Sequence, residues 1–124
     1  MVDTVKFTDA GATAVWAIMD TNDTYKYVGV GTGGATAADE TQTALTTEVD
    51  LPRQTGVLSA AAQVLTVVAT YTCGATPRLI SEAGVFMQSG TGGTMLSRAT
   101  FTDISVVQND TIQFTFNLTL NQAA

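Results

Sequence analysis

The sequence predicts a nearly all-β protein, an antiparallel β-sandwich or jelly roll built as a single domain over residues 1–124. Three observations favour this fold. Apolar and polar residues alternate with period two in two long segments, many shorter β-branched runs are separated by Gly, Asn or Asp, and one short segment alone looks helical. A chain of 124 residues, 45% of them hydrophobic, is long enough to bury one continuous core.

The N-terminal part of the chain is predicted to contain short strands and turns. Residues 4–8, 13–19 and 25–30 are candidate strands, and residues 20–23 combine Asp and Asn in a pattern typical of a turn.

One short helix is expected inside a loop. Residues 37–45 contain several Ala and end in Leu45, and either Thr36 or Asp39 could cap the first turn. A helix of about two turns is too short to be stable alone, so it would depend on the surrounding strands.

The strongest strand signals lie in the second half of the chain. Residues 64–72 and 111–120 alternate apolar and polar side chains, which predicts two long strands that each bury one face. Shorter strands are expected at residues 48–58, 79–88, 94–102 and 104–107. The last of them should form a hairpin with the C-terminal strand around residues 108–110. The predicted core contains Leu65, Val67, Tyr71, Val85, Phe101, Ile112, Phe114, Phe116 and Leu118.

Charge and composition argue against several classes of function. The formal net charge is −6 and the five basic residues are scattered, whereas phosphate binding needs a concentrated positive patch, so no nucleic-acid partner is expected. No apolar run approaches the roughly 20 residues that span a bilayer, and no secretory signal is evident, so the chain is expected to be soluble and made in the cytoplasm. The single cysteine, Cys73, is predicted to be a buried thiol.

Two motifs resemble ligand-binding sequences, but both are better explained without a ligand. Gly29-Val30-Gly31-Thr32-Gly33-Gly34 fits a dinucleotide-binding pattern, but the strands predicted after Leu45 do not suit a parallel βαβ fold, so a flexible loop is favoured. Asp20, Asn22 and Asp23 begin like a calcium loop that lacks its Gly and Glu. We predict no metal, no cofactor and no small-molecule substrate.

The residues also fail to suggest an enzyme. The chain has no histidine, so acid–base chemistry would fall to carboxylates or lysine. Glu82 is the one carboxylate inside an apolar stretch, and a hairpin around residues 90–93 would bring Arg98 opposite it to within a residue or two. We interpret Glu82 and Arg98 as a structural ion pair that fixes strand register, and not as catalytic groups.

The tetrapeptide Gly-Thr-Gly-Gly occurs twice, without further similarity in its flanks. We therefore interpret it as repeated loop chemistry and predict two contact loops for protein partners. Their residues are Gly31, Thr32, Gly33 and Gly34 in the first loop, and Gly90, Thr91, Gly92 and Gly93 in the second.

Six segments of the chain combine into a longer pattern. They are residues 26–33, 37–49, Arg53, 80–86, 93–101 and 110–116, which span most of the chain and contain no catalytic motif. Together they resemble a pattern frequent in small tailed-phage virion proteins, which reads GxGTG, then ADxTxTALxxEV and an Arg, followed by ITEAGLF, GGxLLxRxxF and DxIxFxxxxxF.

The resemblance implies a β-sandwich subunit of a phage particle. The most plausible role is a head decoration, or cement, protein that binds and stabilises the shell of major capsid proteins as a homo-oligomer, a dimer or a trimer, located in the virion. The alternative is a structural module of a phage tail fibre or baseplate, which shares the same type of Glu-Ala-Gly strand. Residues 1–19 fit the pattern least, so we expect them to form an N-terminal arm or an intersubunit strand that meets a neighbouring subunit or the shell.

Overall fold

The computed structural model describes residues 8–38, 41–49, 52–90 and 92–119, and in them the predicted β-sandwich is confirmed. Two antiparallel sheets pack against each other, and one helix precedes them. The elements are α1 Asp9–Asn22, β1 Tyr27–Gly31, β2 Gln54–Thr55, β3 Val57–Ala61, β4 Val64–Thr72, β5 Arg78–Phe86, β6 Met95–Val106 and β7 Thr111–Thr119.

The two sheets differ in size and regularity. The four-stranded sheet has the order β2-β1-β5-β6, and the three-stranded sheet has the order β3-β4-β7. In the smaller sheet, all nine residues of β7 pair with β4 in one uninterrupted register. In the larger sheet, the pairing of β5 with β6 shifts register twice. The long strands are therefore β4 and β7 in one layer, and β5 and β6 in the other.

The core lies between the sheets and contains the predicted residues, although they are buried to different degrees. Leu65, Val67, Tyr71 and Val85 are buried, as predicted. The remaining predicted core residues pack against the same clusters but are only half-buried: Phe101, Ile112, Phe114, Phe116 and Leu118. They lie on β6 and β7, each of which is the outer strand of its sheet and has a neighbouring strand on one side.

The N-terminal helix corrects the prediction of a strand at residues 13–19. The hydroxyl of Thr8 accepts a hydrogen bond from the N–H of Gly11 at 3.0 Å, which caps the first turn. The buried residues Ala12 and Trp16 are four positions apart, so they share the helix face that packs on β3 and β4. Residues 8–19 thus belong to the domain, whereas residues 1–7 lie outside the described residues.

The predicted turn at residues 20–23 is the end of this helix. Asp23 adopts the left-handed conformation, with φ 54°, and its N–H donates to the carbonyl of Met19 at 3.1 Å. Its carboxylate accepts a hydrogen bond from Nζ of Lys26 at 2.6 Å. The carboxylate therefore makes an exposed ion pair with Lys26.

The predicted helix at residues 37–45 is wrong, because none of the described residues in that range is helical. The N–H of Thr36 closes a turn on the carbonyl of Gly33 at 3.1 Å, and Leu45 is buried against the outer face of the four-stranded sheet. Asp39, the other candidate cap, lies outside the described residues. Long-range packing has overridden a weak local helix propensity.

The predicted C-terminal hairpin is also wrong. Residues predicted as two strands, 94–102 and 104–107, form the single strand β6, which pairs with β5, while β7 pairs with β4. The turn after β6 thus carries the chain from one sheet to the other. It is closed by two hydrogen bonds, from the N–H of Asp110 to the carbonyl of Val107 and from the N–H of Val107 to the Asp110 carboxylate.

The helix can be tested through Trp16, the only tryptophan in the chain. Its side chain is 7% exposed and its Nε1–H donates to the carbonyl of Gln63 at 2.9 Å. We expect Trp16→Ala to lower the free energy of unfolding by about 3–5 kcal/mol, because it opens a cavity and leaves that carbonyl unpaired. Urea denaturation followed by circular dichroism measures the change.

Ile18 provides the matched control on the same helix, since its side chain is 68% exposed. The Ile18→Ala variant should unfold within about 0.5 kcal/mol of the wild type. Equal losses for the two variants would contradict the observed orientation of the helix.

Candidate functional site

The most elaborate side-chain arrangement lies on the outer face of the four-stranded sheet. We call residues 32–53 the strap, and its described residues (32–38, 41–49, 52 and 53) leave β1, cross this face and return to the edge of β1. The N–H of Thr32 donates to the carbonyl of Thr47, and the N–H of Val49 donates to the carbonyl of Val30, both at 3.0 Å. The strap therefore begins and ends beside the same strand.

Glycines on the outer face make room for the strap. Val28 and Val30 of β1 point into the core, so Gly29 and Gly31 occupy the opposite face. A Cβ atom on Gly31 would collide with the carbonyl of Thr47, and one on Gly29 would lie 2.8 Å from a carboxylate oxygen of Glu48.

Gly84 makes the same kind of space on β5. A Cβ atom there would lie 3.0 Å from Leu45, whose buried side chain covers it. Both strands thus present bare backbone where the strap approaches.

Glu82 is the centre of the first charged cluster, with its side chain fully buried. Its carboxylate accepts backbone N–H groups from Gly33 at 2.6 Å and from Thr46 and Thr47 at 2.9 Å. It also accepts a hydrogen bond from Nε of Arg98 at 3.0 Å. The predicted ion pair is therefore present, and it is joined by three strap N–H groups that the sequence did not reveal.

The pKa of Glu82 reflects this balance. Burial by itself raises the pKa of the carboxyl, because it removes water from the charged form. The Thr47 N–H, the Arg98 guanidinium and the N–H groups of Thr46 and Gly33 outweigh that effect, so the pKa lies below its ordinary value of 4.5. Glu82 is therefore a fixed anion at neutral pH.

Arg98 extends the cluster across the strap. Its side chain is 2% exposed, and Nη2 donates to the carbonyls of Gly33 and Thr36, each at 3.0 Å. The guanidinium also donates to the side-chain oxygens of Gln42 and Thr46. One cation on β6 thus holds several points of the strap, which explains why these residues do not form a helix of their own.

A second cluster lies around Arg53, near the end of the strap. Its guanidinium makes a bidentate ion pair with Glu48, with N–O distances of 2.9 and 3.0 Å, and stacks 3.5 Å from the ring centroid of Phe86. Nη1 donates to the carbonyls of Gln88, Gly90 and Gly92. Arg53 therefore ties the strap to the exposed loop between β5 and β6.

Tyr71 anchors the strap from the other sheet. Its hydroxyl donates to the carbonyl of Pro52 at 3.2 Å. Burial, assisted by the negative charge of Glu48 and opposed by the positive charge of Arg78, raises the pKa of Tyr71 to about 12. The phenol therefore stays protonated and can donate throughout the physiological range.

The two predicted contact loops differ in how exposed they are. In the first, Gly31 and Gly33 are buried and Gly34 is half-buried, so only Thr32 presents an exposed side chain. Gly31 packs under the strap, whereas Gly33 and Gly34 belong to the strap and donate their N–H groups to Glu82 and Ser81, so the prediction of a flexible loop is wrong at this position. In the second, Gly90, Gly92 and Gly93 are exposed, whereas Thr91 lies outside the described residues.

The structure also bears on the two sequence motifs that suggested a ligand. β1 has antiparallel neighbours on both sides, β2 and β5, so Gly29–Gly34 does not belong to the βαβ unit that dinucleotide binding uses. In the described part of the chain, no three His, Cys, Asp or Glu side chains lie close enough together to hold a metal ion. No helix among the described residues is long and apolar enough to cross a membrane.

A small cavity lies between the two sheets. It measures about 10 Å³, is lined mainly by apolar side chains such as Val30, Ile80 and Phe114, and is no larger than one water molecule requires. Cys73 borders it as a buried thiol, as predicted, and Sγ donates to the carbonyl of Thr76 at 3.4 Å.

Sequence reasoning missed the Glu48–Arg53 cluster. Glu48 and Arg53 both lie in the segments that carry the resemblance, and nothing local indicated that they pair. A usable signal was the spacing of Gly29, Gly31 and Gly84, because glycines on one strand face indicate that something packs on that face.

Comparisons of the chain with protein-family models, with curated proteins and with solved structures gave no match. Function is therefore inferred from the residues and contacts described above. In both clusters the charged groups are held by fixed partners within the chain, an arrangement suited to fastening loops in place.

The Glu82 cluster can be tested by removing its charge. We expect Glu82→Gln to lower the free energy of unfolding at pH 7 by about 3–5 kcal/mol, because Arg98 would remain buried without a counter-ion. Asp23→Asn, which removes an exposed carboxylate from the Lys26 pair, is the control and should cause a much smaller loss. Urea denaturation measures both, and equal losses would contradict the proposed role of the buried pair.

The Glu82→Gln variant also tests how the stability of the protein depends on pH. Glu82 has a lower pKa in the folded than in the unfolded chain, so the unfolded chain binds more protons and stability falls as the pH drops below about 4.5. Other carboxylates also contribute to this loss of stability, so the difference between the wild type and Glu82→Gln isolates the contribution of Glu82. Urea midpoints between pH 7 and pH 3 should decline less steeply for Glu82→Gln than for the wild type, whereas parallel profiles would exclude Glu82 as a contributor.

Proposed function

We propose that this protein is a non-enzymatic structural component of a tailed-phage particle, a head decoration protein that binds the major capsid protein and stabilises the shell. The observation that carries the proposal is that the residues behind the phage resemblance meet in one buried framework. Gly31, Arg53, Glu82 and Arg98 come from separate motifs. Arg53 is the last residue of the strap, and the other three pack against the strap or bind it. The shared pattern thus specifies how loops are fixed on a sandwich.

The loop at residues 88–93 is the surface most suited to such contacts. Arg53 binds the carbonyls of Gln88, Gly90 and Gly92, with the shortest distance 2.6 Å to Gly90. A glycine-rich loop that is already held in one conformation loses less entropy when it binds a partner. The described residues of this loop, 88–90, 92 and 93, are also exposed, so a shell protein could reach them.

The composition supports assembly into a particle at many copies. Charged residues make up 13% of the chain, and the net charge of −6 favours solubility before assembly. A decoration protein adds many weak, symmetry-related contacts, which together give stable binding. The proposed subunit acts in the virion as a homo-oligomer, after synthesis in the host cytoplasm.

The test is co-sedimentation of the purified protein with shells from which accessory proteins have been stripped. We expect saturable binding at an icosahedral copy number, and shells without the protein should rupture under milder conditions. Failure of the wild-type protein to bind any shell would overturn the decoration proposal. The tail fibre or baseplate would then be the place to search for its partner.

Two matched serines test the contact loop in the same assay. Ser89 lies in the loop and Ser59 lies on β3, and both are exposed. We expect Ser89→Lys to weaken shell binding and Ser59→Lys to leave it unchanged. Wild-type binding by Ser89→Lys would show that the shell contacts another surface.

A further inference from the structure

β7 has the features of a strand that pairs with another chain. It is the outer strand of the three-stranded sheet, and no other strand of the described residues lies on its second side. An unpaired strand edge presents a row of N–H and C=O groups to any strand that approaches. β7 therefore offers a nine-residue template over Thr111–Thr119.

The usual protection of such an edge is missing from β7. Its sequence, TIQFTFNLT, has no Lys, Arg, Asp, Glu or Pro, and its register with β4 has no bulge. The corresponding outer strand of the other sheet, β6, has two register shifts and carries the exposed charge of Asp103. Charges and bulges of that kind discourage pairing between edges. The two edges therefore differ, and β7 is the one open to pairing.

The inward side of β7 is incompletely covered within one chain. Leu65 and Val67 on the central strand β4 are fully buried, whereas their partners across the sheet, Leu118 and Phe116, are only partly buried. A strand added beside β7 would cover this apolar surface with its own side chains. The hydrophobic effect thus favours an occupant with apolar residues at alternate positions.

The sequence of β7 indicates that this occupant is a second copy. Reading outward from Thr115, the same kinds of side chain follow in both directions: Phe114 and Phe116, Gln113 and Asn117, Ile112 and Leu118, Thr111 and Thr119. In an antiparallel pair centred on Thr115, each side chain would therefore face one of its own chemical type. Aromatic, amide and aliphatic pairs of this sort are the contacts that stabilise neighbouring antiparallel strands.

We propose that two copies associate through antiparallel pairing of their β7 strands, with a two-fold axis at Thr115. The two three-stranded sheets become one sheet of six strands. The contact is isologous, as a closed dimer requires, and it selects the dimer from the dimer or trimer expected from the sequence. The proposal does not depend on shell binding, because it concerns the free protein.

The first experiment measures the mass of the purified full chain by light scattering and sedimentation at micromolar concentrations, without shells. We expect twice the 12.9 kDa subunit mass. Thr115→Lys and Thr115→Glu should each dissociate several-fold more readily, because like charges would face each other on the axis. An equimolar mixture of the two variants should recover a dimer, since Lys then faces Glu.

Ser59→Lys is the control, because it places the same charge on β3, the opposite outer strand of the same sheet. It should leave the dimer intact. A wild-type protein that is monomeric or trimeric would overturn the proposal. So would dissociation by Ser59→Lys equal to that by Thr115→Lys.

A cross-link tests the register directly. In the proposed dimer, residue 115 faces its own copy, whereas the two copies of residue 111 lie about 27 Å apart along the strands. Thr115→Cys should form an intermolecular disulfide on mild oxidation, and Thr111→Cys should not. Cross-linking of Thr111→Cys as readily as of Thr115→Cys would exclude this register, even if the protein is a dimer.

Discussion

The buried carboxylate of Glu82 is the interaction on which the rest of this structure depends. A fully buried charge is strongly unfavourable unless it is paired and hydrogen-bonded. Arg98 on β6 supplies the pairing, and the strap supplies most of the hydrogen bonds. Three of its four donors are backbone N–H groups from Gly33, Thr46 and Thr47. The strap, in turn, can approach only because β1 and β5 carry glycines on that face.

This dependence connects the fold to its proposed role. The Glu82–Arg98 cluster fixes the strap on the sheet. The Glu48–Arg53 cluster then binds the exposed loop after β5 to the strap. Polar groups inside the protein are thus used to present a surface in one conformation. The neutral edge of β7 is a second surface, because none of its residues belongs to the strap or to the loop after β5.

The sequence was informative where the pattern is local and repeated. Period-two alternation in β4 and β7 predicted both strands and the face that each buries, and hairpin counting placed Arg98 near Glu82. It was uninformative where long-range contacts decide the outcome. Leu45 and its neighbours have helix propensity, but their contacts with Arg98 and Gly84 hold them on the outer face of a sheet instead. The pairing of Arg53 with Glu48 depends on the same packing of the strap. The N-terminal helix was missed although Thr8, Ala12 and Trp16 carry its cap and its four-residue spacing.

The most direct test of the role of Glu82 is native-state hydrogen exchange at the N–H groups of Gly33, Thr46 and Thr47. If the buried carboxylate holds the strap, these three amides exchange only through the larger openings that also expose the core strands, with protection comparable to that of β5. In Glu82→Gln their protection falls by more than that of the β4 amides. Fast exchange of the three amides in the wild-type protein would contradict the account, because the strap would then open independently of the sandwich.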